Sequence, residues 1–380
     1  MSEETQNIAG GNEEERLTDD EKVERGLDER IRMSTFACEN CGSTLVFDPA
    51  SRKLKCTSCG AEYPMPDPKP VMPIAYTGLS EDKFAEWGGV KSVRCENCGA
   101  TITLKEFETA NLCPFCSSPV ITDSDQIPGL KPNGILPFAV TEKEAHASFI
   151  KWLKRRIFAP RKVKKNAKHT PMNGVYIPTW VFNSQVVCPY TARFGKHYTV
   201  TVGSGKNRRT VTKTRWFNVS GVINYNVHDL TIEASSKITQ KELEKLGGFD
   251  MNAAVEYEEE YLPGFSSERY SQGLDDSWGM AQDKICVALK NMVRARHPHD
   301  VEDYINISPS YTGTTYEYML APLWVSGYKY RKKDYGFVVN GRNGKVVGKS
   351  PVSVVRAFIA AVLGLAALAG IGYLIYYLFF

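Results

Sequence analysis

The chain has 380 residues, 42% hydrophobic and 24% charged, which is more than one domain's worth and long enough to bury a core without help from cross-links. A net charge of +4 is too small to mark the chain as a whole for nucleic acid. The opening stretch, MSEETQNIAGGNEEERLTDDEKVERGLDERIRMS, lacks the apolar run of a secretory signal, so a reducing compartment is expected, where ten cysteines favour metal over disulfides.

In chain order, residues 1–34 read as an acidic, disordered or partly helical tail. Residues 35–63 contain two Cys-x-x-Cys pairs, Cys38, Cys41 and Cys56, Cys59. Residues 91–122 contain two more, Cys95, Cys98 and Cys113, Cys116. In both copies fourteen residues separate the pairs. Four thiolates surround a tetrahedral zinc at about 2.3 Å, and each Cys-x-x-Cys supplies two from one tight turn. Gly42, Gly60 and Gly99 follow the second cysteine of a pair, where the chain must turn in the left-handed region. The spacing therefore predicts two zinc ribbons, each closed by four protein ligands, with two structural zinc ions per chain. Iron and redox or disulfide use are the weaker alternatives. The segment between them, 64–90, begins inside the proline-rich YPMPDPKPVMP (63–73) and reads as a stiff linker that separates the ribbons.

Residues 123–352 read as a mixed, mainly antiparallel α+β domain. Thr141 and Glu144 form a capping box ahead of a helix whose Ala145, Phe149, Leu153 and Ile157 share one face. GVYIPTWVFNSQVVCPYTARF and HYTVTVGSG carry the β-branched and aromatic residues of strands. DDSWGMAQDKICVALKNMVRAR predicts a second helix presenting Trp278, Ala281, Ile285, Leu289 and Met292. Residues 323–348 read as three short strands, with turns at Lys332-Lys333-Asp334 and at the two Asn-Gly pairs.

The last segment, 353–380, includes 24 uncharged residues from Ala357 and is expected to be a transmembrane helix. Lys333, Arg342, Lys345, Lys349 and Arg356 before it place the large N-terminal part in the cytoplasm of a single-pass protein of the cell membrane. The fold class expected is thus α+β: two zinc ribbons, an antiparallel-rich domain and a C-terminal span.

The two ribbon sequences, CENCGSTLVFDP…LKCTSCG and CENCGATI…LCPFCS, resemble the bacterial TFIIB-type zinc-ribbon-containing proteins, often loosely labelled primosomal-helicase-like. The resemblance continues through LKPNGILPFAVTEKEA, WLKRRIFAP, GVYIPTWVFNS, YLPGFSSERY and VNGRNGKVVG. It implies two zinc sites and a cytoplasmic α+β body and brings no established activity with it.

The chemistry of a helicase is not found. GKVVGKS, residues 344–350, is one residue short of a phosphate-cradling loop and runs into Pro351; neither H-E-x-x-H nor G-x-S-x-G occurs. His169, His197, His228, His297 and His299 are scattered, and Cys188 and Cys286 stand alone in apolar surroundings. No enzyme is expected. The basic run 151–168, with Lys151, Lys154, Arg155, Arg156, Arg161, Lys162, Lys164, Lys165 and Lys168, reads as a solvated face, a contact for anionic lipid, or a contact for nucleic acid. The expected function is a membrane-anchored, zinc-binding interaction or scaffold protein with an unknown protein partner. The rival is a membrane-tethered nucleic-acid binder using the ribbons and the basic run.

Overall fold

In the computed structural model the described residues are 36–77, 91–104, 110–116, 118–121, 130–167, 170–331 and 333–379. The acidic tail, the segment around Trp87, Lys168 and His169 lie outside them. In chain order the strands of the first half are β1 Leu45–Asp48, β2 Lys53–Cys56, β3 Glu62–Tyr63, β4 Ile74–Ala75, β5 Lys91–Arg94, β6 Thr101–Leu104, β7 Ala110–Leu112, β8 Pro119–Ile121 and β9 Gly134–Ile135. Helices α1 Glu142–Arg155 and α2 Arg161–Asn166 precede two long strands, β10 Asn173–Val202 and β11 Arg209–Glu233. Then come α3 Gln240–Lys245, β12 Val255–Glu256, β13 Ser266–Glu268, α4 Leu274–Arg296, β14 Val301–Ile307, β15 Ser310–Tyr330, β16 Lys333–Asn340, β17 Val346–Gly348 and α5 Val354–Phe379.

The strand pattern read as two segments is one continuous strand, β10, of 30 residues. Pro178 and Pro189 lie within it; tertiary pairing overrides the local break that a proline signals in sequence. A strand has two edges, and β10 uses each of them twice. On one edge it pairs antiparallel with β15 from Asn173 to Val187 and then with β14 from Tyr190 to Gly195. On the other it pairs parallel with β13 at Val175 and Tyr176, and antiparallel with β11 from Thr179 to Val202. Side chains alternate between faces along a strand. From Ser184 to Phe194 the even-numbered residues of β10 are buried and the odd-numbered ones exposed.

That buried face is covered by α4. Trp278, Ala281, Ile285 and Leu289 pack with Val293 against Phe182, Val186, Cys188, Ala192 and Phe194. Met292, expected on this stripe, is only partly buried, and Val293 takes the inner place. A second core forms on the other part of the sheet, where Ala145, Phe149 and Leu153 of α1 meet Leu320, Phe337 and Val339; the Phe149 and Phe337 rings stack at 3.5 Å. The predicted capping box is present, with Thr141 accepting from the Glu144 amide and the Glu144 carboxylate accepting from the Thr141 amide. The helix ends before Ile157, because the backbone at Arg156 leaves the helical region, and Ile157 is 68% exposed.

The C-terminal segment requires a correction. It does form a helix, α5, with Phe358, Leu363, Leu365 and Leu368 exposed. Yet among the described residues no helix is long and apolar enough to cross a membrane. The expected transmembrane helix, the membrane as its partner and a single-pass location in the cell membrane are therefore not supported, and the orientation inferred from the flanking lysines and arginines goes with them. The Arg356 guanidinium instead donates to the Ile157 and Ala159 carbonyls of the α1–α2 turn.

Because the described side chains of α5 bury nothing in either core, a chain ending at residue 357 should keep the unfolding free energy of the body within about 1 kcal/mol. Denaturant unfolding of the two forms measures this.

Candidate metal centres

Each quartet is assembled by two tight turns. In the first, the Cys38 amide donates to Ser43 and the Gly42 amide to Cys38; in the partner turn, the Cys56 amide donates to Ala61 and the Gly60 amide to Cys56. Gly42 and Gly60 have φ of 70° and 74°, the left-handed turn expected from sequence. The β1–β2 hairpin, pairing Leu45 with Cys56, brings the two turns together. The second quartet repeats the design, with Cys95 donating to Ala100, Gly99 (φ 74°) to Cys95, and Cys113 to Ser118.

All eight predicted ligands are gathered into two groups of four, the sulfurs of each lying within 4.8 Å of one another. Cys38 to Cys59 and Cys41 to Cys56 are both 3.5 Å; Cys95 to Cys116 and Cys98 to Cys113 are both 3.6 Å. A tetrahedron with metal–sulfur bonds of about 2.3 Å has edges of about 3.8 Å, so each group fits one tetrahedral ion and leaves it no open position. The groups can hold one metal ion each.

The surroundings favour thiolate at chosen sulfurs. The Tyr63 hydroxyl, 3.4 Å from Cys38 Sγ, is the main reason the Cys38 thiol sits low, at about 6. Tyr63 Oη also accepts from the Glu39 amide at 3.1 Å, which fixes it over the site. At Cys59 the Ala61 amide favours thiolate, but the neighbouring Cys38 and Cys56 outweigh it and push the thiol up to about 12. In the second quartet burial raises Cys116, but the Ser118 hydroxyl and amide bring it down to about 6, whereas burial dominates at Cys113 and pushes it up. Four thiols at this spacing cannot all ionise beside one another unless a cation is shared between them.

The ribbons are not independent knobs. Both dock on one short segment of the body, YLPGFSSE, residues 261–268. Its first half takes the first ribbon: the Phe47 amide donates to Pro263, and the Phe47 ring lies edge-on to Tyr261 at 5.3 Å. Gly264, with φ of 87°, sits so close that an added Cβ would lie 3.1 Å from Val46 Cβ. Its second half, β13, takes the second ribbon by pairing Ser267 with Thr103 and Glu268 with Ile102 of β6. The β5–β6 hairpin thereby joins the large sheet. Lys237 closes the contact by donating from its ammonium to the Cys98 carbonyl. The proline-rich linker also leans on the body, where the Glu256 amide donates to Lys69 and the Asn133 side chain to Met72.

Sequence reading missed Tyr63 and Lys237, and it singled out YLPGFSSERY only as part of the family resemblance, without the role of residues 261–268 in holding the ribbons. The basic run is exposed along α1 and α2, apart from half-buried Lys164, with the Arg156 guanidinium 4.6 Å from the Trp152 ring centre. Cys188 is buried, while Cys286 is half-buried 4.0 Å from the Tyr311 hydroxyl. Neither joins a candidate metal group among the described residues.

Beside the second ribbon lies a buried carboxylate pair. Glu268 accepts from the Ser235 hydroxyl at 2.5 Å and from the amide and hydroxyl of Ser236 at 2.9 Å. Glu233 is 4% exposed, and its Oε2 has no hydrogen-bond partner among the described residues. Burial, with the Glu268 charge adding to it against the Ser235 amide, pushes Glu233 up to about 8.

Two outcomes follow. Phe47→Ala should destabilise the body by about 3–5 kcal/mol, because the ring is shared between ribbon and body, while leaving two bound ions; denaturant unfolding and metal analysis check both halves. Between its unfolded value near 4.5 and about 8, folded Glu233 holds a proton that the unfolded chain releases, so its contribution to stability falls as pH rises through that window. The thermal unfolding temperature should therefore drop between about pH 4.5 and pH 8, and Glu233→Gln should flatten the drop.

No protein-family model matches the chain. No solved structure matches it. Among curated proteins the chain is similar to an uncharacterized protein, YdjG of Bacillus subtilis (strain 168), with 27% identity over 321 residues, covering 84% of this chain and 90% of that one.

Proposed function

We propose that the chain is a non-enzymatic interaction scaffold stiffened by two structural zinc ions, of the TFIIB-type zinc-ribbon kind that its cysteine segments resemble. The carrying observation is the pair of four-sulfur groups, each able to supply all four ligands of a tetrahedral ion and both seated on residues 261–268. Four cysteine sulfurs in tetrahedral array suit zinc, and no position is left for an activated water or a substrate. Cys38, Cys41, Cys56 and Cys59 would hold one ion, and Cys95, Cys98, Cys113 and Cys116 the other. When bound, the ion neutralises thiolate charge and supplies folding free energy, on the order of 10–16 kcal/mol in small zinc domains.

The consequence of the docking is that zinc stiffens more than its own loop. The first ribbon shares a core with Phe138, Tyr176 and Trp324, and the second extends the main sheet. A cleft of about 820 Å³ opens between them, with Val46 and Lys55 on one side, Pro114 on the other, and Phe265 and Trp324 at the back. Its mixture of apolar and polar groups suits a protein contact.

Metal analysis of the purified full-length chain tests the reading. The expected result is about two equivalents of zinc, colourless protein, and one equivalent in Cys113→Ser. Disulfides in place of metal, or a coloured iron centre, would overturn it.

A further inference from the structure

The hairpin of β10 and β11 outruns the body. The last strand beside it, β14, ends its pairing with β10 at Gly195 opposite Val301. From Lys196 onward, β10 pairs only with β11 among the described residues, through Tyr198–Lys213, Thr199–Thr212, Val200–Val211, Thr201–Thr210 and Val202–Arg209. At about 3.3 Å per residue this free ribbon reaches roughly 20 Å beyond the sheet. An isolated two-stranded ribbon is marginal in water, and here β-branched residues face one another across it at successive positions, the pairing that suits a ribbon without a third strand.

Register divides the arm into two unlike faces. Directly paired residues lie on the same face, so Lys196, Arg215, Tyr198, Lys213, Val202 and Arg209 share one of them. The opposite face carries Thr199, Thr201, Thr210, Thr212 and Thr214 with His197. These cations are exposed, as are Tyr198 (46%) and Trp216 (42%). Among the described residues none of Lys196, Arg208, Arg209, Lys213 and Arg215 has an ion-pair partner. The nearby acids at the base of the arm are engaged: Asp303 with Arg193, Glu302 with Arg294, and Asp300 with the His197 amide. No Asp or Glu occurs in the sequence between Glu144 and Asp229. Charges on an exposed strand also guard against edge-to-edge aggregation, but either sign does that. An arm with cations alone asks for an anion.

We propose that the β10–β11 arm, residues 196–215, is a binding element for duplex nucleic acid, inserted as a two-stranded ribbon into a groove. The major groove of a duplex, about 12 Å wide, admits a two-stranded β-ribbon. Lysine and arginine on one face neutralise phosphates, and threonine hydroxyls on the other donate to phosphate oxygens, so both faces of an inserted ribbon find partners. A ribbon lying flat on an anionic surface would use only one. The site is separate from the basic run on α1 and α2, and it does not depend on what the cysteine groups hold.

Fluorescence polarisation of the full-length chain with a labelled duplex of about 20 base pairs, titrated between about 50 and 200 mM salt, tests this. Binding should weaken with a log–log salt slope of about −4, from four phosphate contacts at about 0.9 each. Arg209→Gln/Lys213→Gln/Arg215→Gln should make the slope shallower by about 3 and weaken binding at least tenfold at the lowest salt. Metal content and thermal unfolding should stay as in the parent, and the single substitution Lys213→Glu provides the same reading should the triple variant misfold. Lys154→Gln/Arg155→Gln/Lys165→Gln, on α1 and α2, should bind nearly as the parent does. Equal affinity and slope in parent and triple variant would overturn the proposal. So would absence of duplex binding, including the case in which phosphatidylglycerol vesicles bind through the same three residues and duplex does not compete.

Discussion

One strand organises this molecule. The strands β11, β13, β14 and β15 all pair with β10 directly, and β10 can serve them all because it is long enough for each edge to pair twice. The constraint is severe. Where three strands converge, β10 has Gly195, and a Cβ there would lie 2.5 Å from Thr214 Cγ2 and 2.7 Å from Val301 Cγ2. Where α4 covers the sheet, only every second residue is buried. At its start, from Gly174 to Phe182, the strand is buried on both faces, as expected for a centre strand with layers above and below.

The metal groups depend on this arrangement at one remove. Residues 261–268 are held beside Val175 and Tyr176 of β10, and both ribbons are held by residues 261–268. Phe265, at the centre of that segment, stacks on Phe138 at 4.2 Å and contacts Tyr176 and Trp324 edge-on. An aromatic cluster of this kind is stiff, since each ring is bounded by others at ring-contact distance. The two four-sulfur groups therefore have a fixed relation to the body, which a pair of ribbons on a free linker would lack.

The far end of β10 shows the opposite design. Past Gly195 the neighbours fall away, apolar side chains give way to threonine, lysine and arginine, and pairing with β11 alone continues to Val202. The strand thus passes from a doubly covered centre, through a half-buried sheet, to a free arm. Charge follows the same gradient: carboxylates cluster at the buried end, around Glu233 and Glu268, and cations at the exposed tip.

The sequence by itself determined the two cysteine quartets, because ligand spacing is a local property: a tight turn either places two sulfurs side by side or does not. It also determined α1 with its capping box, α4 with its apolar stripe, and the strand character of 173–202, since each rests on periodicity within one segment. The tertiary structure alone decided the rest. That Cys38 lies under Tyr63, that Lys237 reaches the Cys98 carbonyl, and that residues 261–268 hold both ribbons are contacts between groups distant in the chain, and no local pattern encodes them. The run 151–168 stood out in sequence because its charges are contiguous. The arm did not, because its cations are spread over two strands with β-branched residues between them. Only the register of β10 against β11 gathers Lys196, Arg215, Lys213 and Arg209 onto one face.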